Sequence, residues 1–402
     1  MLPDGLRIGL DGRNVGRAGG TGVATYAATL AEACRRRGWQ PEWVLEAAPG
    51  AVAGPTHSPA ARLRRLMAAM PPARTARPIS IGGGRAWLSR DIFRIAQVHF
   101  GLHRRPLRLR IADPPALMHW TYPLPLHLPG VPNLVTVHDL IPLLQPELTG
   151  IASARMERLL QAVLARAACV VTVSETVRAD ILRRLGVAPE RVVNLYQAVD
   201  LPRALLAASE AEADPCPPGS FICLGSVEPR KNIGRLIAAH GQSGSRRTLV
   251  LVGPDGEGAA GELAALATHP HPDRVLRLPW IARPQLVRAI RGARAVLFPS
   301  LAEGFGLPIA EAMTLGVPVL TAQGGATEEI AGGAALLVDP LDVARLAGAI
   351  GRLDRDDALC ARLVAAGRQC APLFTVEAYG VRLEALYRRI LDASLSARAA
   401  IT

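Results

Sequence analysis

Short apolar runs alternate with helical patterns along most of the chain, and this alternation constrains the fold more than any other feature. In the first half, the runs that we interpret as strands are LRIGLDGR (6–13), NLVTVHD (133–139), ACVVTVSE (168–175) and VVNLYQAVD (192–200). In the second half they are FICLGSV (221–227), TLVLVG (248–253), VLRLPW (275–280), AVLFPS (295–300), VPVLTA (317–322) and ALLVD (335–339). Strands that alternate with helices form parallel sheets covered on both faces. The pattern predicts an α/β fold of two Rossmann-like, doubly wound parallel-sheet domains that face each other across a cleft.

The domain boundaries follow from the same pattern. The Ala- and Pro-rich stretch 201–220 has no clear period, so we interpret it as a linker between an N-terminal domain (1–200) and a C-terminal domain (221–373). The segment 374–402 holds an amphipathic helix that we expect to cross back to the N-terminal domain. Ligands of such folds bind beyond the carboxyl ends of the strands, and the motifs described below lie at these ends.

The composition argues against several classes of protein. Half of the residues are apolar, which predicts a large core, but no run approaches 18 uncharged apolar residues and none should span a membrane. The first ten residues include Asp4 and Arg7 and lack the apolar segment of a signal peptide. The six cysteines form no Cys-x-x-Cys pair, so we expect buried, reduced thiols. These features predict a cytoplasmic protein.

The net charge of +12 is concentrated in one segment. Residues 51–110 carry twelve arginines and one acid, Asp91, whereas the rest of the chain is nearly neutral. Such a block predicts an anionic partner, which could be nucleic acid, an anionic membrane or a phosphorylated substrate, although a solvated arginine surface is the alternative. We expect no nucleic acid, because no helix-turn-helix, zinc or aromatic RNA-binding motif accompanies the charge.

The strongest chemical motif is PSLAEGFGLPIAEAMTLGVPVL (299–320). A strand ends, a tight Gly-containing loop follows, and a helix begins, so the backbone N–H groups of Gly306 and Leu307 should point towards an anion. Glu303 and Glu311 are spaced so that both carboxylates can accept hydrogen bonds from sugar hydroxyls beside a phosphate. The alternative is an ordinary helix start with acids that compensate the helix dipole.

A second motif, FICLGSVEPRKNIG (221–234), places Gly225 at a strand end and Arg230 and Lys231 before a helix. Lys231 is the single lysine among 46 Lys and Arg residues. A cation opposes the dipole at a helix start, so the pair indicates an anionic ligand rather than a solvated surface pair. An ammonium is a compact point charge that can follow a phosphate, whereas a guanidinium makes a fixed, planar contact.

Two weaker motifs lie in the first half. The loop RAGGTG (17–22) contains Gly19 and Gly20 between a strand and a helix, and could equally be an ordinary turn. In VTVHDLIPL (135–143), His138 follows a strand and should lie at the cleft, and Asp139 could hold His138 or cap the next turn.

Taken together, these motifs resemble those of the family 4 glycosyltransferases, which are retaining nucleotide-sugar enzymes of the GT-B fold. The resemblance covers nearly the whole chain, through FICLGSVEPRKNIGRLIAAH (221–240), GGTGVATYAATL (19–30), VTVHDLIPL (135–143), VVTVSE (170–175) and AALLVDP (334–340). Only residues 51–110 have no counterpart, as expected for a variable acceptor-binding region. The motif style is closest to bacterial mannosyltransferases of O-antigen and exopolysaccharide synthesis.

The resemblance implies a diphosphate site. Arg230 and Lys231 would contact the donor diphosphate and neutralise the charge that grows as it leaves. Gly225 would let the backbone approach the ligand, and Gly19 and Gly20 would close over the phosphates from the opposite domain.

It also implies contacts to the donor's two sugars. Glu311 would hold the ribose hydroxyls, and Glu303, with the amides of Phe305 and Gly306, would hold the transferred sugar. His138 would contact that sugar and orient the reacting centre. The candidate catalytic residues are therefore His138, Glu303, Arg230 and Lys231.

The implied reaction is sugar transfer with retention of anomeric configuration. No Asp-x-Asp motif is present, so we expect no metal ion and no cofactor. The best candidate donor is GDP-mannose, with a UDP-sugar as the alternative, and the acceptor is a glycan, expected to be linked to a polyprenol diphosphate. An epimerase, a phosphorylase or a non-catalytic sugar-nucleotide binder are further alternatives.

The basic segment suggests a place for this reaction. We expect Arg62, Arg64 and Arg65, which alternate with apolar residues, to bind the anionic inner face of the cytoplasmic membrane. The sequence does not specify an oligomeric state.

Overall fold

A computed structural model of the chain describes residues 2–14, 22–47 and 59–399. The elements of the N-terminal half are β1 (Arg7–Asp11), α1 (Gly22–Arg36), β2 (Gln40–Leu45), α2 (Pro59–Ala69), β3 (Ala73–Thr75), β4 (Arg77–Ile81), β5 (Gly84–Leu88), α3 (Ile92–His103), β6 (Leu107–Arg110), β7 (Leu117–Trp120), β8 (Leu126–His127), β9 (Asn133–Val137), α4 (Ile141–Leu144), α5 (Ser153–Leu164), β10 (Cys169–Thr172), α6 (Glu175–Leu185), β11 (Val192–Asn194) and α7 (Arg203–Glu210). Within the described ranges, eight of these strands form a sheet of order β11-β10-β9-β7-β1-β2-β5-β4, and β3, β6 and β8 form a small second sheet.

The C-terminal half forms a sheet of its own. Its elements are β12 (Phe221–Leu224), α8 (Ile233–Gln242), β13 (Leu249–Val252), α9 (Ala259–Leu263), β14 (Val275–Leu278), α10 (Arg283–Arg291), β15 (Ala295–Phe298), α11 (Leu307–Leu315), β16 (Val319–Ala322), α12 (Gly325–Ala331), β17 (Ala335–Val338), α13 (Val343–Arg355), α14 (Asp357–Cys370) and α15 (Val376–Ala399). The strand order is β14-β13-β12-β15-β16-β17, and every neighbouring pair is parallel. Most of these strands are fully buried four-residue runs, as parallel strands covered on both faces should be.

The predicted fold class is confirmed, because both halves are α/β domains built on parallel sheets. The stretch 201–220, interpreted as a linker without a clear pattern, contains the helix α7, which packs against α10. The two sheets bring the carboxyl ends of β9 and β15 to the same cleft, where residues of both domains meet.

Residues 73–110 contain strands that the pattern did not predict. The strands β4 and β5 form an antiparallel hairpin at the edge of the first sheet. Gly82 and Gly83 connect them, and both have positive φ, as a two-residue hairpin turn requires. The strand β4 is mostly exposed and therefore lacks the apolar run by which we recognised the other strands.

The helix α15 follows the C-terminal domain but packs against α1 of the N-terminal domain. The hydroxyl of Tyr379 donates to that of Tyr26 at 3.1 Å, and the hydroxyl of Tyr387 lies 2.7 Å from Nδ1 of His119. The three tyrosines and His119 are all buried, so the helix joins the two domains through a common core.

Two further findings concern the expectations from composition. None of the helices in residues 2–14, 22–47 and 59–399 has the length and apolarity needed to cross a bilayer. The six cysteines are free thiols, four of them buried.

Candidate functional site

A carboxylate and two cations meet where β12 and β15 end. The ammonium of Lys231 donates to Oε1 of Glu303 at 2.5 Å, and a guanidinium nitrogen of Arg230 lies 2.7 Å from Oε2. Burial raises the pKa of Glu303, but the charges of Lys231 and Arg230 outweigh it and leave this pKa below its ordinary value. Glu303 is therefore ionised at neutral pH, and the three predicted residues form one cluster.

Lys231 occupies a narrow space. Its ammonium lies 4.6 Å from the ring centroid of Phe298, and its side chain is 11% exposed. On the other side, a Cβ at Gly225 would come within 3.1 Å of Lys231 Cε, and Gly225 has a φ of 128° that favours glycine. Gly225 thus makes room for the lysine, and the backbone approach to a ligand at this position stays a prediction.

Arg230 has two further partners in the described residues. It donates to Glu228 at 2.6 Å and to the backbone carbonyl of Ala302 at 3.1 Å. The contacts with Ala302 and Glu303 hold the guanidinium against the loop that carries Glu303, and the side chain of Arg230 is only 21% exposed.

The helix α11 begins beside this cluster. Gly306 is its N-cap residue, with a φ of 103°, and the first turn contains no acid. The buried ring of Phe305 packs edge-on against Phe374, with ring centroids 5.5 Å apart. Pro308 has no N–H, and the N–H of Ile309 donates to the carbonyl oxygen of Gly306 at 2.9 Å. Among the described residues no acceptor is found for the N–H groups of Gly306 and Leu307, so these two remain at the helix start as donors for an anion.

Glu311 lies in the second turn of α11 and is 6% exposed. A guanidinium nitrogen of Arg283, the first residue of α10, donates to Glu311 Oε1 at 2.6 Å. We did not identify Arg283 from the sequence. The signal was available, because a cation at a helix start is unfavourable unless an acid compensates it.

His138 follows β9, and its backbone carbonyl lies against Gly304 of the second domain. Its Nε2 is 2.8 Å from the carbonyl oxygen of Thr121, and because a carbonyl only accepts, Nε2 carries the proton. Burial lowers the pKa of His138 to about 4, so the ring is neutral at neutral pH. The ring of Tyr26 packs edge-on against it at 4.9 Å between centroids, and the ring of Tyr122 is stacked at 6.5 Å.

Gly304 is a second residue that the sequence analysis missed. A Cβ at this position would lie 1.8 Å from the carbonyl oxygen of His138 and 3.1 Å from Cβ of Asp139. In addition, the hydroxyl of Ser174 donates to the carbonyl oxygen of Gly304 at 2.7 Å. The loop that carries Glu303 therefore lies directly on the N-terminal domain, and only glycine fits.

Asp139 has the second of its two predicted roles. Its carboxylate accepts from the backbone N–H of Ile141 at 3.1 Å and so caps the next turn. A cleft of about 440 Å³ between the domains is lined by Asp139, Glu303 and Gln323, among others, and no cation lines it within the described residues.

Glu329 of α12 holds the two domains together at the far end of this cleft. Its carboxylate accepts from the backbone N–H groups of Glu175 and Thr176 at 2.7 and 2.8 Å and from the hydroxyl of Thr176. These groups are the N-terminus of α6, whose positive dipole end favours a carboxylate.

The other predicted site residues lie elsewhere. Gly19 and Gly20 are outside the described residues. Arg62, Arg64 and Arg65 lie on α2, where Arg64 and Arg65 pair with Asp91. Within the part of the chain that the structure describes, no group of three His, Cys, Asp or Glu side chains is arranged to hold a metal ion.

Comparison with known families matches both halves of the chain. A family model described as Glycosyltransferase Family 4 matches residues 20–203, and one described as Glycosyl transferases group 1 matches residues 210–370. The O-antigen chain mannosyltransferase B of Escherichia coli is 31% identical over 241 residues, which are 56% of this chain and 61% of that protein. The match thus spans about three fifths of the length of this relative.

Solved structures share the fold over nearly the whole chain. Sucrose-phosphate synthase from Thermosynechococcus elongatus is 22% identical, with a TM-score of 0.71 over 96% of this chain and 100% of that one. Anabaena HepE, solved in complex with UDP and glucose, is 17% identical, with a TM-score of 0.65 over 96% of this chain and 100% of that one. At these identities the likeness establishes the GT-B architecture.

Proposed function

Because the chain belongs to the glycosyltransferases that combine a family 4 domain with a group 1 domain, we propose that it transfers a sugar from a nucleotide diphosphate to a hydroxyl of a glycan acceptor. The observation that carries this proposal is the cluster of Arg230, Lys231 and Glu303 beside the start of α11. It combines two cations and free helix amides for a diphosphate with an ionised acceptor for sugar hydroxyls.

Each contact of the proposed donor has a place in this cluster. The diphosphate would lie between the amides of α11 and the two cations, which neutralise the charge that develops as it leaves. The transferred sugar would donate hydroxyl hydrogen bonds to Glu303 and accept from the amides of Phe305 and Gly306. The ribose would donate to Glu311.

Retention is proposed on the resemblance to the family 4 enzymes, and a step without a covalent intermediate is proposed because neither His138 nor Asp139 suits a nucleophile. His138 is neutral and holds its proton on Nε2 towards Thr121, and Asp139 is engaged in capping a turn. In the proposed step, the bond between the anomeric carbon and the phosphate oxygen breaks while the acceptor oxygen attacks from the same face. The acceptor proton passes to an oxygen of the leaving diphosphate. The cations and helix amides would replace a divalent ion.

We propose GDP-mannose as the donor and a polyprenol-diphosphate-linked glycan as the acceptor, in the synthesis of cell-surface polysaccharide. The support is the HDLIPL and EPRKN motif style together with the likeness to the E. coli O-antigen enzyme. A UDP-sugar is the second candidate, because the similarly folded Anabaena protein binds UDP and glucose.

The test is a transfer assay with GDP- and UDP-sugars and lipid-linked acceptors, with the product anomer assigned by NMR. Acceptor-dependent release of one nucleoside diphosphate with retention is expected. Glu303→Gln should abolish it, whereas Glu210→Gln, which disturbs only the exposed pair with Arg291, should not. Isomerisation, phosphorolysis or an inverted product would contradict the proposal.

We also propose that α2 binds the anionic inner face of the cytoplasmic membrane. Four apolar side chains at helical spacing on α2 and just after it are 41–65% exposed: Leu63, Leu66, Met67 and Met70. Arg62 and Arg64 are exposed beside them, whereas Arg65 is largely covered. An exposed apolar stripe flanked by arginines fits an anionic lipid surface.

Vesicle sedimentation tests this docking. The protein should bind vesicles that contain phosphatidylglycerol more tightly than phosphatidylcholine vesicles. Replacing Arg62, Arg64 and Arg65 with Gln should remove that preference, whereas Gln at the exposed Arg183 and Arg345 should not. Equal affinity of the α2 variant and the wild type would refute the docking proposal, and it would leave the proposed transfer reaction unaffected.

A further inference from the structure

The carboxylate of Glu311 is almost completely buried and depends on one partner. Nη2 of Arg283 donates to its Oε1 at 2.6 Å, and no other hydrogen bond to Glu311 is found among the described residues. A buried carboxylate is costly unless a cation or hydrogen-bond donors compensate it. The contact is end-on, through one nitrogen and one oxygen, so Oε2 remains for another donor.

Arg283 has a position that is unfavourable in its own helix. It is the first residue of α10, whose first turn contains no acid, so its charge opposes the helix dipole. Its side chain is 37% exposed, so the pair is open to solvent on the side of Arg283, whereas Glu311 is buried. The compensation comes from Glu311 on the neighbouring helix α11, and the pair therefore fixes the geometry of Glu311 across two helices.

We propose that Arg283 is a positioning residue that holds one oxygen of Glu311 and directs the other towards the ribose of the donor, so that the pair selects ribose over deoxyribose. This inference rests on the proposed function, in which Glu311 binds the ribose. A ribose hydroxyl that donates to Oε2 completes the hydrogen bonding of the carboxylate. A deoxy analogue leaves that oxygen unpaired, and buried polar groups discriminate strongly against ligands that lack their partner.

The experiment measures dissociation constants for the nucleoside diphosphate that the wild type binds and for its 2′-deoxy and 3′-deoxy analogues. The wild type should bind at least one analogue about tenfold or more weakly. Arg283→Gln should reduce that ratio to about twofold or less, mainly by weakening the ribose form, because Glu311 is no longer held. Arg283→Lys, which keeps a cation, should restore most of the ratio.

Two controls separate this role from a structural one. Arg291 lies on the same helix as Arg283 and makes a surface ion pair with Glu210. Arg291→Gln removes this pair and should leave the ratio unchanged. If Arg283→Gln does not fold, Arg283→Met takes its place, because it keeps an apolar stem of similar length. It should reduce the ratio to the same extent. The deoxy ratio does not respond to a general loss of stability, which would weaken all three ligands equally.

The outcomes distinguish the two proposals. A wild type that binds no nucleoside diphosphate would overturn the proposed function itself. Binding without discrimination against either deoxy analogue would overturn the role of the pair, and so would a ratio that survives in Arg283→Gln.

Discussion

Gly304→Ala tests whether the observed contact between the domains is the one used in catalysis. The new Cβ would lie 1.8 Å from the carbonyl oxygen of His138, whereas real Cβ atoms do not come closer than 3.0 Å. The two domains would therefore have to separate by about 1.2 Å at this point. Because the φ of Gly304 is not in the left-handed region, the substitution acts through this collision and not through backbone strain.

The expected effect falls on turnover. A misplacement of about 1 Å can cost about 100-fold in rate, which corresponds to about 2.7 kcal/mol of activation free energy. Affinity for the nucleoside diphosphate should change much less, because Arg230 and Lys231 belong to the same domain as Gly304 and move with it. The assay is steady-state transfer, with kcat compared against the dissociation constant of the nucleotide.

Gly348→Ala is the matched control. Gly348 lies in α13 of the same domain, and a Cβ there would meet nothing within 4 Å. This variant should keep wild-type turnover. If Gly304→Ala also kept it, the contact between Gly304 and His138 would not belong to the reacting arrangement, and the reasoning would be refuted.

Three further predictions follow from the same cluster and its surroundings. Lys231→Arg should lower kcat about tenfold or more, or about 1.4 kcal/mol, because the space between Gly225 and Phe298 suits an ammonium; near wild-type turnover would contradict this. Because burial lowers the pKa of His138 from 6.5 to about 4, the unfolded chain binds more protons in this range and stability falls as the pH falls. His138→Gln removes this dependence, so urea titrations should show the stability difference between wild type and variant changing by about 2 kcal/mol between pH 7 and pH 5, and a constant difference would argue against the shift. Turnover should persist in EDTA, and its loss would overturn metal independence.

Much of the fold was predictable because buried parallel strands are continuous apolar runs. Strands such as β12 and β15 were predicted within two or three residues of their bounds, and their ends placed Arg230, Lys231 and Glu303 at one edge of one sheet. These three residues come together because β12 and β15 are neighbours in the sheet. The alternation of strands and helices predicts such a parallel sheet, although not every detail of its strand order.

Contacts between distant segments were not predictable. Gly304 lies against His138, and Glu329 accepts hydrogen bonds from the N-terminus of α6. Both contacts depend on how the two domains face each other, and no local sequence pattern encodes this arrangement. The pair of Arg283 and Glu311 left a local signal, the uncompensated cation at a helix start, but its partner is 28 residues away.

The strands within residues 73–110 were missed for a different reason. β4 lies at the edge of the first sheet and is mostly exposed, and β3 and β6 are short strands of the small second sheet, so they lack the apolar runs that mark the central strands. The hairpin turn at Gly82 and Gly83 was the one local sign of them.

The central claim is that the cluster of Arg230, Lys231 and Glu303 binds a nucleotide sugar. It is tested most directly by thermal unfolding in the presence of GDP, UDP and their sugars. We expect one nucleotide to raise the Tm in a concentration-dependent way, and the shift to disappear when Arg230 and Lys231 are replaced with Gln. No stabilisation by any nucleotide, or an equal shift in that double variant, would contradict the claim.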